Sequence, residues 1–289
     1  MRKVVLSMMF LIGSYSNALS GEWDGRVIEA LSGVPITIEQ LATQLTASQN
    51  IVLGEKHNTK AVQEAQAKII EAVVRHGQLE GHFVTAWEFL NYSSQSKTAS
   101  EFWRFVSGEI DPIQLLINLH GSNYNSSYTK ILEATRDFGG MLLGVNLSRE
   151  EKAPVVREGL KAADPTLIPQ GFEMGGSGYF ERFAEAMQGH TPPEKIQNYF
   201  EAQCLTDDVM AFHIAESGIE HRFLVAGSFH SDYSDGVVAR LKTRDPYNKT
   251  AVVKFLDASD FSEDDLRYIA KHPKYGLLAD YIYFVNEPD

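Results

Sequence analysis

Two short segments place a histidine three residues after a glycine, each directly behind an apolar run. They are Gly54-Glu55-Lys56-His57, after "NIVL", and Gly227-Ser228-Phe229-His230, after "RFLVA". A third apolar run, "HFVTAWEF", carries Glu88 inside it. Burying a charge is costly unless the charge is paired. We therefore expect Glu88 to face a histidine or an arginine.

Glu55, His57, Glu88 and His230 supply two carboxylates and two imidazoles. Divalent transition metals accept these ligands, and two coordination positions would stay open for water or substrate. The same set also suits metal-free proton transfer, in which a carboxylate orients a histidine base. From the residues alone, both alternatives stay open.

Further candidates follow other apolar runs. Asn146 and Arg149 lie in "GVNLSR", and Arg149 would stabilise developing negative charge in a hydrolytic site. Tyr233 comes shortly after the second histidine segment and could supply a phenolate ligand. Tyrosines more often serve packing, but four more are potential phenolate ligands: Tyr124, Tyr128, Tyr179 and Tyr199.

The elements that must position these residues alternate between short apolar runs and amphipathic stretches. The runs predicted as strands are "NIVLGE", "HFVTAWEF", "MLLGVN", "RFLVAGS", "TAVVKFLD" and "DYIYFV". Helical periodicity follows most of them, for example over 60–76 and 235–244. This alternation predicts an α/β fold with a mainly parallel central sheet and helices on both faces. Ligands in such folds sit beyond the carboxyl ends of the strands.

The strand and helix pattern fails between residues 163 and 192, which are rich in glycine and proline. The stretch 193–219 then regains helical periodicity. We therefore predict a loop-rich and helical insertion, or lid, over 163–219.

The N-terminal residues are typical of a secretory signal peptide. Arg2 and Lys3 precede the apolar run 4–15, and Ala18-Leu19-Ser20 provides small residues for cleavage. We predict a signal peptide over 1–20 and a single domain over 21–289 of the 289-residue chain. The protein is then expected to be exported, either periplasmic or secreted.

Composition excludes several classes of partner. The net charge of −12 repels phosphate backbones, so nucleic acid is not an expected partner. After residue 21, no apolar run approaches the ~20 residues of a transmembrane helix, so no membrane anchor is expected. The single cysteine, Cys204, lies far from the cleavage site, which predicts neither an intrachain disulfide nor an N-terminal lipid anchor.

Several segments, in this order, resemble the ChaN-type haem-binding family of the wider Tiki and erythromycin-esterase superfamily. They include "VPITIEQLATQL", "IVLGEKHN", "TAWEFL", "LLGVNLSREEKAPVVREGL", "FEAQCLTDDVMAFHIAE" and "VAGSFHSDYSDGVVARL", over about residues 35 to 245. The most specific elements are Gly-Glu-x-His at 54–57 and Ala202-Gln203-x-x-x-Asp207-x-x-Met210-Ala211. The chain departs from the family at Ser228-Phe229, where Asn-Gly is usual.

The resemblance implies an exported protein of haem or iron acquisition, in a family where haem can sit at a dimer interface. A homodimer is then possible. The family site carries over onto Glu55, His57, Glu88, Asn146, Arg149 and His230. The haem would contact His57, His230, Tyr233 and Asn146.

The wider superfamily implies a second function, a hydrolase that uses a divalent transition metal or acts without one. Its catalytic residues would be Glu55, His57, Glu88, His230 and Arg149, and the metal ligands would be Glu55, His57, Glu88 and His230. A third interpretation is a non-catalytic scaffold that has kept the fold.

Overall fold

The structure, a computed structural model, describes residues 23–262, 265 and 268–287. The predicted signal peptide lies outside the described residues. Ten strands have the bounds β1 Val27–Glu29, β2 Pro35–Ile36, β3 Asn50–Glu55, β4 Phe83–Asn91, β5 Met141–Asn146, β6 His221–Gly227, β7 Thr250–Asp257, β8 Lys271–His272, β9 Gly276–Leu277 and β10 Tyr281–Val285 within this part of the chain. All six predicted strands are present.

The helices alternate with the strands as the periodicity predicts. Their bounds are α1 Ile38–Leu45, α2 Lys60–Gly77, α3 Gln95–Val106, α4 Pro112–His120, α5 Thr129–Asp137, α6 Arg149–Glu158, α7 Ser177–Met187, α8 Ile196–Ala215, α9 Ser228–Ser231 and α10 Gly236–Arg244. Helices α4 and α5 occupy a stretch for which the sequence pattern predicts no element. The helical periodicity after "TAVVKFLD" also predicts a helix over 262–271, which falls partly outside the described residues and whose last residue belongs to β8.

Eight strands form the central sheet, in the order β2-β1-β10-β7-β3-β6-β4-β5. The run from β10 to β5 is parallel, whereas β1 pairs antiparallel with β10 and with β2 at one edge. Strands β8 and β9 form a separate antiparallel hairpin. The mainly parallel α/β fold predicted from the sequence is confirmed.

Successive strand residues point to opposite faces of the sheet, and helices cover both faces. In β3, Leu53 belongs to the cluster that includes Ile69 and Ile70 of α2. Its neighbour Val52 belongs to the cluster that includes Met210 of α8 and Leu241 of α10. Full burial of such a side chain stabilises the fold by roughly 1.5–3 kcal/mol.

The predicted insertion is a series of turns followed by α7 and α8. Short 3-10 turns at Leu160–Ala162 and Pro165–Leu167 lead into α7, and Pro193–Lys195 leads into α8. Helix α8 packs against α6 and α10. Among the described residues, no helix is both long and apolar enough to cross a membrane.

Candidate functional site

The four strands with polar ends are neighbours in the sheet. Strands β3, β6, β4 and β5 lie side by side and run parallel, so their carboxyl ends meet at one edge. Glu55 ends β3, Gly227 ends β6 and Asn146 ends β5. The structure therefore brings the two Gly-x-x-His segments together, as the sequence predicts.

Glu88 reaches this edge because β4 is irregular there. Trp87 pairs with Gly144 of β5, but the next pair joins Asn91 to Asn146. A bulge of this kind redirects the side chains next to it. Glu88 Oε2 accepts a hydrogen bond from the Gly227 backbone N–H at 2.6 Å, and the Asn146 amide donates to the Glu88 carbonyl at 2.7 Å.

Glu55 and His57 form the first pair of the site. The Glu55 side chain is buried, and its Oε1 lies 2.8 Å from His57 Nδ1 and 2.6 Å from the Tyr128 hydroxyl, which donates to it. Gln63 of α2 donates to the second oxygen at 2.9 Å. Burial alone would lower the pKa of His57, but the hydrogen bond to Glu55 and the charge of Glu88 raise it.

His230 lies between two further carboxylates. Its Nδ1 is 2.6 Å from Asp207 Oδ1, and its Nε2 is 3.3 Å from Glu88 Oε1. Burial opposes the charge of His230, but the attraction of Glu88 and Asp207 outweighs it and raises the pKa to about 10. Burial also opposes ionisation of Glu88, yet His230, His57 and the Gly227 N–H lower its pKa to about 2.

Glu88 joins the two pairs into one network, because its Oε1 is also 3.7 Å from His57 Nε2. The network runs Glu55, His57, Glu88, His230, Asp207, with the Tyr128 hydroxyl at one end and the Tyr179 hydroxyl at the other, 2.9 Å from Asp207 Oδ2. Each histidine lies between two carboxylates. The neighbouring carboxylates therefore favour the charged form of both imidazoles.

The four residues named as metal ligands share this network, in which they form ion pairs with one another. In the described part of the chain, no group of three or more His, Cys, Asp or Glu side chains is arranged to hold a metal ion. The physical reason is that the carboxylates already contact the imidazole nitrogens of His57 and His230. A metal would have to displace these ion pairs.

A cavity of about 530 Å³ opens beside His230, within the usual size range of small-molecule sites. Its cationic wall is one face of α6, which carries Arg149, Lys152 and Arg157. A capping box at Ser148 and Glu151 fixes the start of this helix and so places Arg149. The remaining lining residues include Glu88, Ala153, Val156, Phe183, Met187, Tyr199, Gln203, Phe229 and His230.

Lys152 is a cavity cation that Asn146 links to the network. Its Nζ donates to Asn146 Oδ1 at 3.2 Å, and burial lowers its pKa even though Glu88 opposes this effect. Asn146 thus links the Lys152 amine to the backbone of Glu88. The structure places Asn146 and Arg149 beside the network, as the sequence predicts.

Tyr233 does not join this group. Its backbone φ is 60°, in the left-handed region, and its ring packs against Tyr275 and His272. It lines a different cavity, with Phe261, Tyr268 and Pro273 among the other lining residues. The turn after His230 therefore directs this phenol away from Glu88.

Three partners in the network were not assigned to it from the sequence: Asp207 was named only within a family motif, and Tyr128 and Tyr179 only as potential phenolate ligands. Asp207 is 1% exposed in α8, one helical turn after Gln203, whose amide lies 3.0 Å from His230 Nδ1. The i and i+4 spacing puts both side chains on one helix face. The Gln203-x-x-x-Asp207 spacing could therefore have assigned Asp207 to the site from the sequence. No comparable local pattern marks Tyr128 or Tyr179.

Residues 41–241 match the family described as haem-binding uptake, Tiki superfamily, ChaN. The chain belongs to this ChaN family. Its fold also matches a solved structure described as cofacial heme binding to ChaN of Campylobacter jejuni. The TM-score is 0.69 at 20% identity, over 89% of this chain and 95% of that one. At this identity the match shows a shared ChaN fold.

Two other solved structures are more distant. The type III effector HopBA1 has a TM-score of 0.48 at 10% identity, over 87% of this chain and 94% of the effector. An erythromycin esterase, EreC, has a TM-score of 0.39 at 14% identity, over 75% of this chain and 72% of the esterase. A search among curated proteins finds no significant match.

Proposed function

We propose that this ChaN-family protein binds haem in the cavity between α6, α7 and α8. The observation that carries the proposal is the contrast between the two cavity walls. Arg149, Lys152 and Arg157 form one wall, and Phe183, Met187 and Phe229 contribute apolar surface to the other. Haem has a flat apolar macrocycle and two carboxylates, and this combination matches both walls.

Charge inside the cavity favours a carboxylate ligand. Glu88 is the only acid among the lining residues, and His230 neutralises it at 3.3 Å. The three cations of α6 are therefore available to the propionates, although the chain as a whole carries a net charge of −12. Charge-assisted hydrogen bonds from arginine to a carboxylate are among the stronger polar contacts in proteins.

Tyr199 is the best donor to the iron within the cavity. Its side chain is 37% exposed, and its hydroxyl has no hydrogen-bond partner in the part of the chain that the structure describes. Phenolate is a known axial ligand of haem iron. His230 is a poor donor because its two nitrogens contact Asp207 and Glu88. When bound, the haem would supply a ferric iron.

The geometry of the network favours binding over Glu/His-based hydrolysis. A general base must accept a proton at working pH. The pKa of His230 is raised to about 10, so this ring already carries the proton, and the pKa of His57 is also raised. The network is better suited to holding α9 and the cavity wall in place than to abstracting protons.

Export, a role in haem or iron acquisition and dimerisation extend this proposal. Export is supported by the basic, apolar and small-residue order of residues 2–20. The protein of Campylobacter jejuni is described by its cofacial heme binding. We extend that arrangement to this chain, with two copies facing each other across their haems. Light scattering with and without hemin tests it, and a monomer in both states would contradict it.

Hemin titration tests the binding proposal. The wild-type protein is expected to give a saturable Soret shift at micromolar hemin. Arg149→Glu combined with Arg157→Glu should weaken binding at least about tenfold, because two attractive contacts become repulsive. Lys130→Glu, an exposed lysine of α5 outside the cavity, is the matched control. Absence of a saturable shift in the wild type would overturn the proposal.

The iron donor is tested separately. Tyr199→Phe should change the ferric absorption spectrum, whereas Tyr247→Phe, at an exposed tyrosine outside the cavity, should leave it unchanged. Metal-free protoporphyrin should bind wild type and Tyr199→Phe alike, because it offers no iron to the phenolate. Unchanged ferric spectra in Tyr199→Phe would exclude this residue as the ligand.

A further inference from the structure

The start of helix α2 is not capped by its own sequence. Within the described part of the chain, the Thr59 side chain forms no capping hydrogen bond, and the first turn of the helix contains no acidic residue. The first backbone N–H groups of an α-helix have no partner inside the helix. In α2, those of Val62 and Gln63 donate to the Thr59 carbonyl at 2.9 and 3.2 Å. The N–H groups of Lys60 and Ala61 remain.

The carboxylate of Glu287 supplies the missing cap from a distant segment. Its Oε1 accepts a hydrogen bond from the Lys60 N–H at 3.2 Å, and its Oε2 accepts one from the Ala61 N–H at 2.6 Å. Glu287 comes two residues after β10. Strands β10 and β3 both run parallel to β7, so they end at the same edge of the sheet. The helix dipole and the unpaired N–H groups favour a carboxylate at this position.

A second contact ties the preceding turn to the segment after β7. Lys56 Nζ lies 2.6 Å from Asp260 Oδ2, and both side chains are exposed. Between the two contacts, Asn58 has a φ of 60°, in the left-handed region. Such a conformation persists where the surrounding structure determines it. The turn of residues 56–59 is therefore held from outside on both sides of Asn58.

His57 is the residue of this turn that reaches the Glu/His network. Its Nδ1 lies 2.8 Å from Glu55 Oε1, and its Nε2 lies 3.7 Å from Glu88 Oε1. The side chain of His57 is 36% exposed, whereas that of His230 is 8% exposed. Packing therefore restrains His57 less than it restrains His230, and the contacts of the turn contribute more to its position.

We propose that Glu287 is a positioning residue for His57, and that the segment after β10 acts as a clamp on the turn between β3 and α2. Without the clamp, the first turn of α2 opens and the imidazole of His57 moves away from Glu88. Glu88 lines the ligand cavity and would keep His230 as its imidazole partner. The clamp thus links a segment outside the cavity lining to the charge at the cavity wall. It requires no bound haem, so it does not depend on the haem proposal.

The test is an NMR measurement on haem-free protein with 15N-labelled histidine. In Glu287→Ala, the imidazole signals of His57 should shift and broaden, because the ring samples positions away from Glu88. His76 lies in the last turn of the same helix, and its signals should stay unchanged. This internal control separates a local loss of position from a general loss of helix stability.

Hydrogen exchange measures the cap itself. The amides of Lys60 and Ala61 should exchange about twofold to thirtyfold faster in Glu287→Ala, the range expected when a helix loses its N-cap. Glu287→Gln keeps one oxygen acceptor but loses the charge, so its exchange should fall between those of the wild type and Glu287→Ala. Glu64→Ala is the matched control. Its carboxylate lies 3.8 Å from the Lys60 amine in the same helix, and its removal should leave the His57 signals unchanged.

Circular dichroism establishes that each variant is folded. If Glu287→Ala does not fold, Glu287→Gln carries the same comparison of His57 with His76. Unchanged His57 signals in the folded variant, or equal changes at His57 and His76, would overturn the proposal.

Discussion

A hydrogen bond joins Gly227 to Glu88 at the centre of the site. The Gly227 backbone N–H donates to Glu88 Oε2 at 2.6 Å, while the ring of His57 lies directly over the Gly227 Cα. The φ of Gly227 is −71°, which any residue can adopt. This glycine is therefore required for space above β6 and not for an unusual backbone conformation.

Gly227→Ala should consequently destabilise the protein. The new Cβ would lie 2.6 Å from His57 Nε2 and 3.4 Å from Glu88 Oε2, so the imidazole must move. Overpacking of this kind costs about 1–3 kcal/mol, measured as a lower free energy of unfolding in urea. Gly178→Ala is the matched control, because a Cβ there meets nothing within 4 Å. Equal stability of both variants would contradict the steric argument.

Asp207→Asn should remove one of the two anions that hold His230. Asp207 is 1% exposed and lies 2.6 Å from His230 Nδ1. Breaking a buried ion pair on one side is expected to cost about 3–5 kcal/mol, again measured in urea. Glu133→Gln removes the exposed ion pair with Lys130 and should change the unfolding free energy little. A similarly small change for Asp207→Asn would show that the network does not stabilise the fold.

The sequence predicted the sheet edge better than it predicted the partners there. Strand ends are local features, so Glu55, Glu88 and His230 could be assigned to one edge from the strand pattern alone. Asp207 reaches His230 only through the packing of α8 on the sheet, and a single sequence does not encode that packing locally. The position of Tyr233 depends on a left-handed turn at a residue other than glycine, which has no sequence signal.

Helices α4 and α5 illustrate the same limit. The segment between them, "GSNYNSSY", is rich in turn residues and conceals the helical periodicity on either side. The metal interpretation stays a prediction. Residue types alone predict a set of ligands, but only coordinates reveal that the carboxylates already bind the imidazoles.

The stability of the protein should pass through a maximum between about pH 4.5 and 6.5. The pKa of Glu88 is lowered from 4.5 to about 2, so its contribution is present above pH 4.5 and is lost as the pH falls towards 2. The pKa of His230 is raised from 6.5 to about 10, so its contribution is complete below pH 6.5 and is lost as the pH rises towards 10. Urea midpoints across this range measure both limbs.

Two variants assign the limbs of this profile. Glu88→Gln should remove the acid limb and weaken the alkaline limb, and His230→Ala should remove the alkaline limb and weaken the acid limb, because each group shifts the pKa of the other. An alkaline limb that persists unchanged in His230→Ala would mean that another group causes it.

Helix α7 should open more readily when its exposed contacts to the β8–β9 hairpin are removed. Lys274 lies 3.1 Å from Glu181 and 2.9 Å from Glu185, and the Tyr275 hydroxyl donates to Glu185 at 2.7 Å. The opposite side of α7 supplies Phe183 and Met187 to the cavity wall. The hairpin therefore holds one side of the ligand cavity through ion pairs that are open to solvent and that salt can screen.

Lys274→Ala should accordingly raise the amide hydrogen-exchange rate of residues 181–187 about twofold to fivefold at low salt. High salt should bring the wild type to the same rate, because screening weakens the same ion pairs. Lys130→Ala removes a similarly exposed pair in α5 and should leave exchange in α7 unchanged. If Lys274→Ala exchanges like the wild type at low salt, α7 is held by its buried residues Tyr179 and Phe183 alone.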